Sequence, residues 1–229
     1  MKPQLTDLIS LETLDRDGAL REQEEAVAGD TRADLFRKAG IAGGSLIASG
    51  VLFGGLPALA SAAKPSKKQD VAILNYALTL EYLEAAFYKE ALRAGFPGAL
   101  GEFARLVAAD EAAHVAVLKR VLGSAAVKSP SFDFGDTTSD EARFRATAFA
   151  LETTGVAAYS GQATNIKQVP IIRAAVSILT IEARHAGAIA ALNGDITGRS
   201  GVTPNGAFDV AYSMKRVLSI VRGTGFITG

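Results

Sequence analysis

The chain contains only two histidines, and each follows a glutamate by three residues, as Glu111-Ala112-Ala113-His114 and Glu182-Ala183-Arg184-His185. Residues i and i+3 share one face of a helix, so each pair can offer a carboxylate and an imidazole to the same ion. Oxygen and imidazole donors of this kind suit iron, manganese and zinc. Two further glutamates complete a pattern. Glu81 and Glu152, Tyr88 and Tyr159, Glu111 and Glu182, and His114 and His185 are all separated by the same 71 residues. The residues around them match poorly, so the repeat concerns a site, not a whole surface. Cysteine is absent, which excludes thiolate metal sites, iron–sulfur clusters, cysteine nucleophiles and disulfides.

Four helices are needed to bring these residues together, and the apolar spacing predicts four, over about 70–94, 99–123, 140–164 and 170–193. The first seam runs Leu74, Leu78, Glu81, Ala85, Tyr88 and Leu92. The second runs Ala104, Val107, Glu111, His114, Leu118 and Val121. Ala148, Glu152, Gly155 and Tyr159 follow on the third, and Ile171, Ala175, Ile178, Glu182, His185, Ile189 and Leu192 on the fourth. Asp140 is a good helix start for the third, Pro170 for the fourth, and Gly194 a stop. A tight turn at Gly95–Gly98 makes the first two helices an antiparallel hairpin, and a short link does the same for the last two. The stretch from Ser124 to Thr138 is long enough to run the height of a bundle, which predicts a single long crossover between the hairpins.

On every seam a glutamate or histidine occupies a position that the periodicity assigns to the core. Unpaired carboxylates there would cost several kcal/mol or surrender their charge. Two divalent cations remove the problem, because four positive charges meet four carboxylates. An oxo or paired hydroxo bridge can balance the two charges added on oxidation to trivalent ions. Glu84 stands three residues past Glu81 on a neighbouring stripe and is expected to be a solvated surface carboxylate.

One glutamate from each of two helices, plus Glu-x-x-His from each of the other two, resembles the ligand set of ferritin-like di-iron and di-manganese proteins. The run from Leu74-Asn75 through Glu81-Tyr82 to Tyr88 resembles the first helix of bacterioferritins, and Asp110-Glu111-Ala112-Ala113-His114 resembles their second. The resemblance covers about residues 70–194. With its leader, the whole chain is similar to bacterial exported ferritin-like-domain proteins of the desiccation-related type. The resemblance implies an all-α antiparallel four-helix bundle with one long crossover. It implies two iron ions, with manganese as the alternative. Glu81 and Glu152 would be terminal ligands, Glu111 and Glu182 would bridge, and His114 and His185 would bind one ion each. Tyr88 and Tyr159 would hydrogen-bond ligand carboxylates, with core filling as the alternative. Apart from the resemblance, Asp110 stands where it either orients a ligand histidine through its second nitrogen or is helix surface charge. The second helix offers no haem ligand, so the haem of bacterioferritins is not expected.

The first 63 residues read as an export leader. Thr31-Arg32-Ala33-Asp34-Leu35-Phe36-Arg37-Lys38 precedes an apolar run to Leu59 and an Ala60-Ser61-Ala62 cleavage pattern. The segment resembles a twin-arginine signal with Ala33 in place of the second arginine. Export to the periplasm or cell envelope is therefore expected, with a retained membrane anchor as the alternative. Residues 64–195 form the bundle and 196–229 a C-terminal extension with a short amphipathic helix at Ala207–Val221. The 24 basic and 24 acidic residues cancel, so nothing marks a nucleic-acid binder. The expected partners are metal ions and oxygen or peroxide, and the family leaves room for a homo-oligomer. Two functions compete: an oxidase or peroxidase type of redox activity, and a non-catalytic metal-binding or stress-protective role.

Overall fold

The computed structural model describes residues 65–228, so the leader and its cleavage pattern lie outside the described residues. The described residues form five α-helices: α1 (Lys67–Ala91), α2 (Gly98–Leu122), α3 (Glu141–Gln162), α4 (Val169–Leu192) and α5 (Met214–Thr224). The first four match the predicted segments to within about three residues. Among the described residues there is no strand, only an isolated antiparallel bridge between Phe132 and Ile227.

Local chemistry sets the helix ends. Ser66 caps α1 by accepting from the Gln69 N–H at 3.1 Å, and Asp140 caps α3 by accepting from the Arg143 N–H at 2.9 Å. The start of α4 lacks a side-chain cap of its own. Just before it, the wholly buried Asp70 of α1 accepts from the N–H groups of Lys167 (2.7 Å) and Gln168 (3.1 Å). A buried carboxylate needs such donors, and the contact ties the α3–α4 turn to the beginning of α1.

The link between hairpins runs along α1. Asn75 accepts from the Val127 N–H and donates to the Ala125 carbonyl, while farther up Thr138 donates to Glu90 at 2.7 Å. The crossover therefore spans from Asn75 to Glu90, and α3 descends antiparallel to α1. The bundle is up, down, down, up, as a ferritin-like topology requires.

Two apolar clusters close the bundle above and below the seam glutamates. One contains Phe87, Tyr88, Phe103 and Phe144, with Phe144 stacked on Phe96 at 4.6 Å and on Phe87 at 5.5 Å. The other contains Leu74, Leu78, Leu118, Tyr159 and Ile178. Helix α4 is long and apolar enough to cross a bilayer, but its Glu182–His185 face is buried.

Three expectations need correction. Leu92 and Val121 are 41% and 49% exposed, because α1 tightens into a 3-10 turn at Leu92 and the last turn of α2 buries Leu122 instead. The C-terminal helix begins at Met214, not Ala207. Residues before it cross α3, where the Tyr212 N–H donates to the Ala157 carbonyl at 2.9 Å, so Tyr212 cannot use that N–H in a helix of its own. Gly161 permits the crossing: a Cβ there would lie 1.8 Å from the Tyr212 carbonyl oxygen. From Met214 onward α5 lays Val217 and Val221 into the same cluster as Leu83 and Phe87.

Candidate metal centre

The six residues singled out by the repeat converge at mid-bundle. Glu81, Glu111, Glu152 and Glu182 are wholly inaccessible to solvent, His114 and His185 nearly so. On one side His114 Nδ1 lies 3.1 Å from Glu81 Oε2, 3.1 Å from Glu111 Oε2 and 3.3 Å from Glu182 Oε1. On the other, His185 Nδ1 lies 3.2 Å from Glu111 Oε1 and 3.3 Å from Glu152 Oε2. Donor atoms of Glu81, Glu111, His114 and Glu182 fall within 4.8 Å of one another, as do those of Glu111, Glu152, Glu182 and His185. The two groups share Glu111 and Glu182, and the 71-residue offset exchanges one for the other.

The tyrosines are exchanged by the same operation. Tyr88 on α1 donates to Glu152 Oε1 on α3 at 2.5 Å, and Tyr159 on α3 donates to Glu81 Oε1 on α1. Each phenol occupies the outer oxygen of its carboxylate and leaves Oε2 facing the histidine. Asp110 breaks the symmetry. Its Oδ2 stands 3.1 Å from Nε2 of His185, on the other hairpin. With the proton on Nε2 and donated to Asp110, His185 turns the Nδ1 lone pair inward.

Several inward atoms have no hydrogen-bond partner: Glu111 Oε1, Glu152 Oε2, both oxygens of Glu182 and His185 Nδ1. They lie close together, but not in hydrogen-bond geometry. Orphaned acceptors at the centre of a core are rare and demand an explanation. Bound cations within reach of these atoms would supply it, so the donor set fits metal binding.

Electrostatics describe the alternative that the metal-free chain must adopt. Burial raises Glu81 to about 8 despite the His114 hydrogen bond, and also raises Glu152 and Glu182. Burial acts on Glu111 in the same sense, yet the two imidazoles beside it, His114 and His185, overcome it and hold this carboxyl at about 2. Burial opposes charge on the histidines, but the carboxylates around them raise His114 to about 12 and His185 to about 11. Without metal, two imidazolium ions and several protons stand in for the cations.

Glu84 is not the solvated residue expected from its stripe. It is 4% exposed, and burial together with Glu182, Glu111, Glu152 and Glu81 pushes its carboxyl well above the usual range. Gly155 of α3 stands against its carboxylate, and Val221 of α5 lines the same groove between α1 and α3. The repeat holds a signal for it: the position 71 residues past Glu84 is Gly155, which leaves room for a carboxylate.

An up-down-down-up bundle with a carboxylate–histidine cluster at its centre places the protein in the ferritin-like class. Residues 69–195 match the model of the ferritin-like domain, and the chain belongs to that family. No curated protein sequence matches the chain significantly.

Proposed function

We propose that this protein holds two metal ions, iron in its working form, and uses them in redox chemistry with oxygen or peroxide. The observation that carries the reading is the pair of overlapping donor groups that share Glu111 and Glu182. Glu81 and His114 would serve one ion and Glu152 and His185 the other, with the two shared glutamates bridging. A bound ferrous pair would supply electrons for reducing oxygen or peroxide. The chain's own residues do the rest. Tyr88 and Tyr159 fix the terminal carboxylates, Asp110 holds the His185 ring, and the two apolar clusters keep bulk water out.

Enclosure limits the substrate. The pocket lined by Ile73, Ala77, Leu80 and Tyr159 measures about 20 Å³, and that beside Glu84 about 10 Å³. Both are about the size of one water molecule, a scale that suits oxygen or peroxide. The same enclosure favours, as a second reading, an exported stress-protective protein whose ions only stabilise the bundle. Anaerobic loading with ferrous iron followed by a pulse of oxygen or peroxide separates the two. The redox reading expects oxidant consumption and iron oxidation well above those of the Glu111→Ala variant. Equal rates in the two proteins would leave only the protective reading.

A further inference from the structure

Glu84 has no place in the six-residue set, yet its position is built. It lies one turn beyond Glu81 and is buried, and the charged groups that bear on it are all carboxylates. Its counterpart under the repeat is Gly155 of α3. A Cβ at 155 would stand 3.4 Å from Glu84 Oε1 and 2.9 Å from Glu182 Oε2. The glycine thus opens the space in which the Glu84 carboxylate meets a shared glutamate. Thr154, also lining this space, directs its hydroxyl to the Ala150 carbonyl at 2.7 Å and offers nothing to Glu84. A carboxylate held inside the bundle among other carboxylates is costly unless a cation serves it, and the nearest cation positions are those of the proposed pair.

We propose that Glu84 is a fifth carboxylate of the metal centre, entering beside Glu182 through the gap left by Gly155, and that it sets the centre's preference for trivalent ions. This rests on the two-metal reading above. The charge count gives the reason. Four carboxylates and two neutral imidazoles balance two divalent ions, whereas two trivalent ions leave two positive charges to be met inside a dry core. A fifth carboxylate meets one of them from within the protein, so that a single hydroxide suffices for the other. Because Gly155 carries no side chain in the equivalent place, the centre is asymmetric, with the added charge arriving from the α1 side alone.

The test compares a divalent ion with a redox-inert trivalent one on the full chain. Wild type and Glu84→Gln are titrated with cobalt(II), and separately with gallium(III) buffered by nitrilotriacetate, and bound metal is counted after dialysis. Two cobalt ions should bind in both proteins with affinities within about threefold. Gallium affinity should fall at least about tenfold in Glu84→Gln, the scale of loss seen when a group supporting a metal site is removed. Intact cobalt binding shows that the variant is folded and its six-residue set competent. Unchanged gallium affinity would overturn the proposal, and so would an equal fall for both ions, which would indicate general damage. If the wild type bound neither ion, the two-metal reading itself would fail and take this inference with it.

Discussion

Thermal melts of the metal-free and metal-loaded protein should diverge steadily as pH rises from about 4.5 to 8. In the metal-free chain Glu81 is raised to about 8, and Glu84, Glu152 and Glu182 are raised as well, burial being the first cause in each. A carboxyl whose folded pKa exceeds its unfolded value of 4.5 stabilises the fold fully below 4.5 and loses that contribution as pH climbs through the folded value. The histidines act in the same sense, since they are raised from 6.5 to about 12 and about 11. Glu111, lowered to about 2, has the opposite sign, but its contribution is lost only as pH falls from 4.5 through that value, below the window tested. Metal-free stability should therefore decline with pH by about 1.4 kcal/mol per unit for each extra proton held by the folded state. Metal reverses the trend, because ions compete with protons for the same carboxylates and imidazoles. At a free metal concentration one hundred times Kd the added stability is about 2.7 kcal/mol, or roughly 5–10 °C in Tm for a domain of this size. Parallel melting curves across the window would contradict a shared metal site.

The second large effect concerns the shared glutamates. Glu111 and Glu182 each belong to both donor groups, while Glu81 belongs to one. Glu111→Ala and Glu182→Ala should each abolish binding of both ions, whereas Glu81→Ala should weaken mainly the ion served by His114. Truncation also leaves His114 and His185 without carboxylates that now face them at 3.1–3.3 Å. Equilibrium dialysis against cobalt(II) with metal counting would show the difference. Equal and independent losses in the three variants would rule out the assignment of shared and terminal roles.

How far the sequence could be read follows from which forces act locally. Helix ends were legible because caps and breakers are local: Asp140, Pro170 and Gly194 stand where the helices begin or stop. The six-residue cluster was legible because one seam per helix and one repeat offset were enough to place it. Glu84 was not, because its burial depends on what packs against it from elsewhere in the chain, Gly155 of α3 and Val221 of α5. Periodicity along α1 marks a neighbouring stripe but cannot say what covers it. The start of α5 was missed for a related reason. An amphipathic pattern from Ala207 onward is compatible with a helix, and only the passage of Tyr212 over Gly161 takes the backbone N–H away.

The number of ions per chain tests the central claim most directly. Native mass spectrometry of the protein loaded with cobalt(II) should show two ions per chain, gained together with little singly loaded species, because the shared glutamates couple the two positions. A chain that takes up one ion, or none, or that fills two positions with independent statistics, would contradict the account.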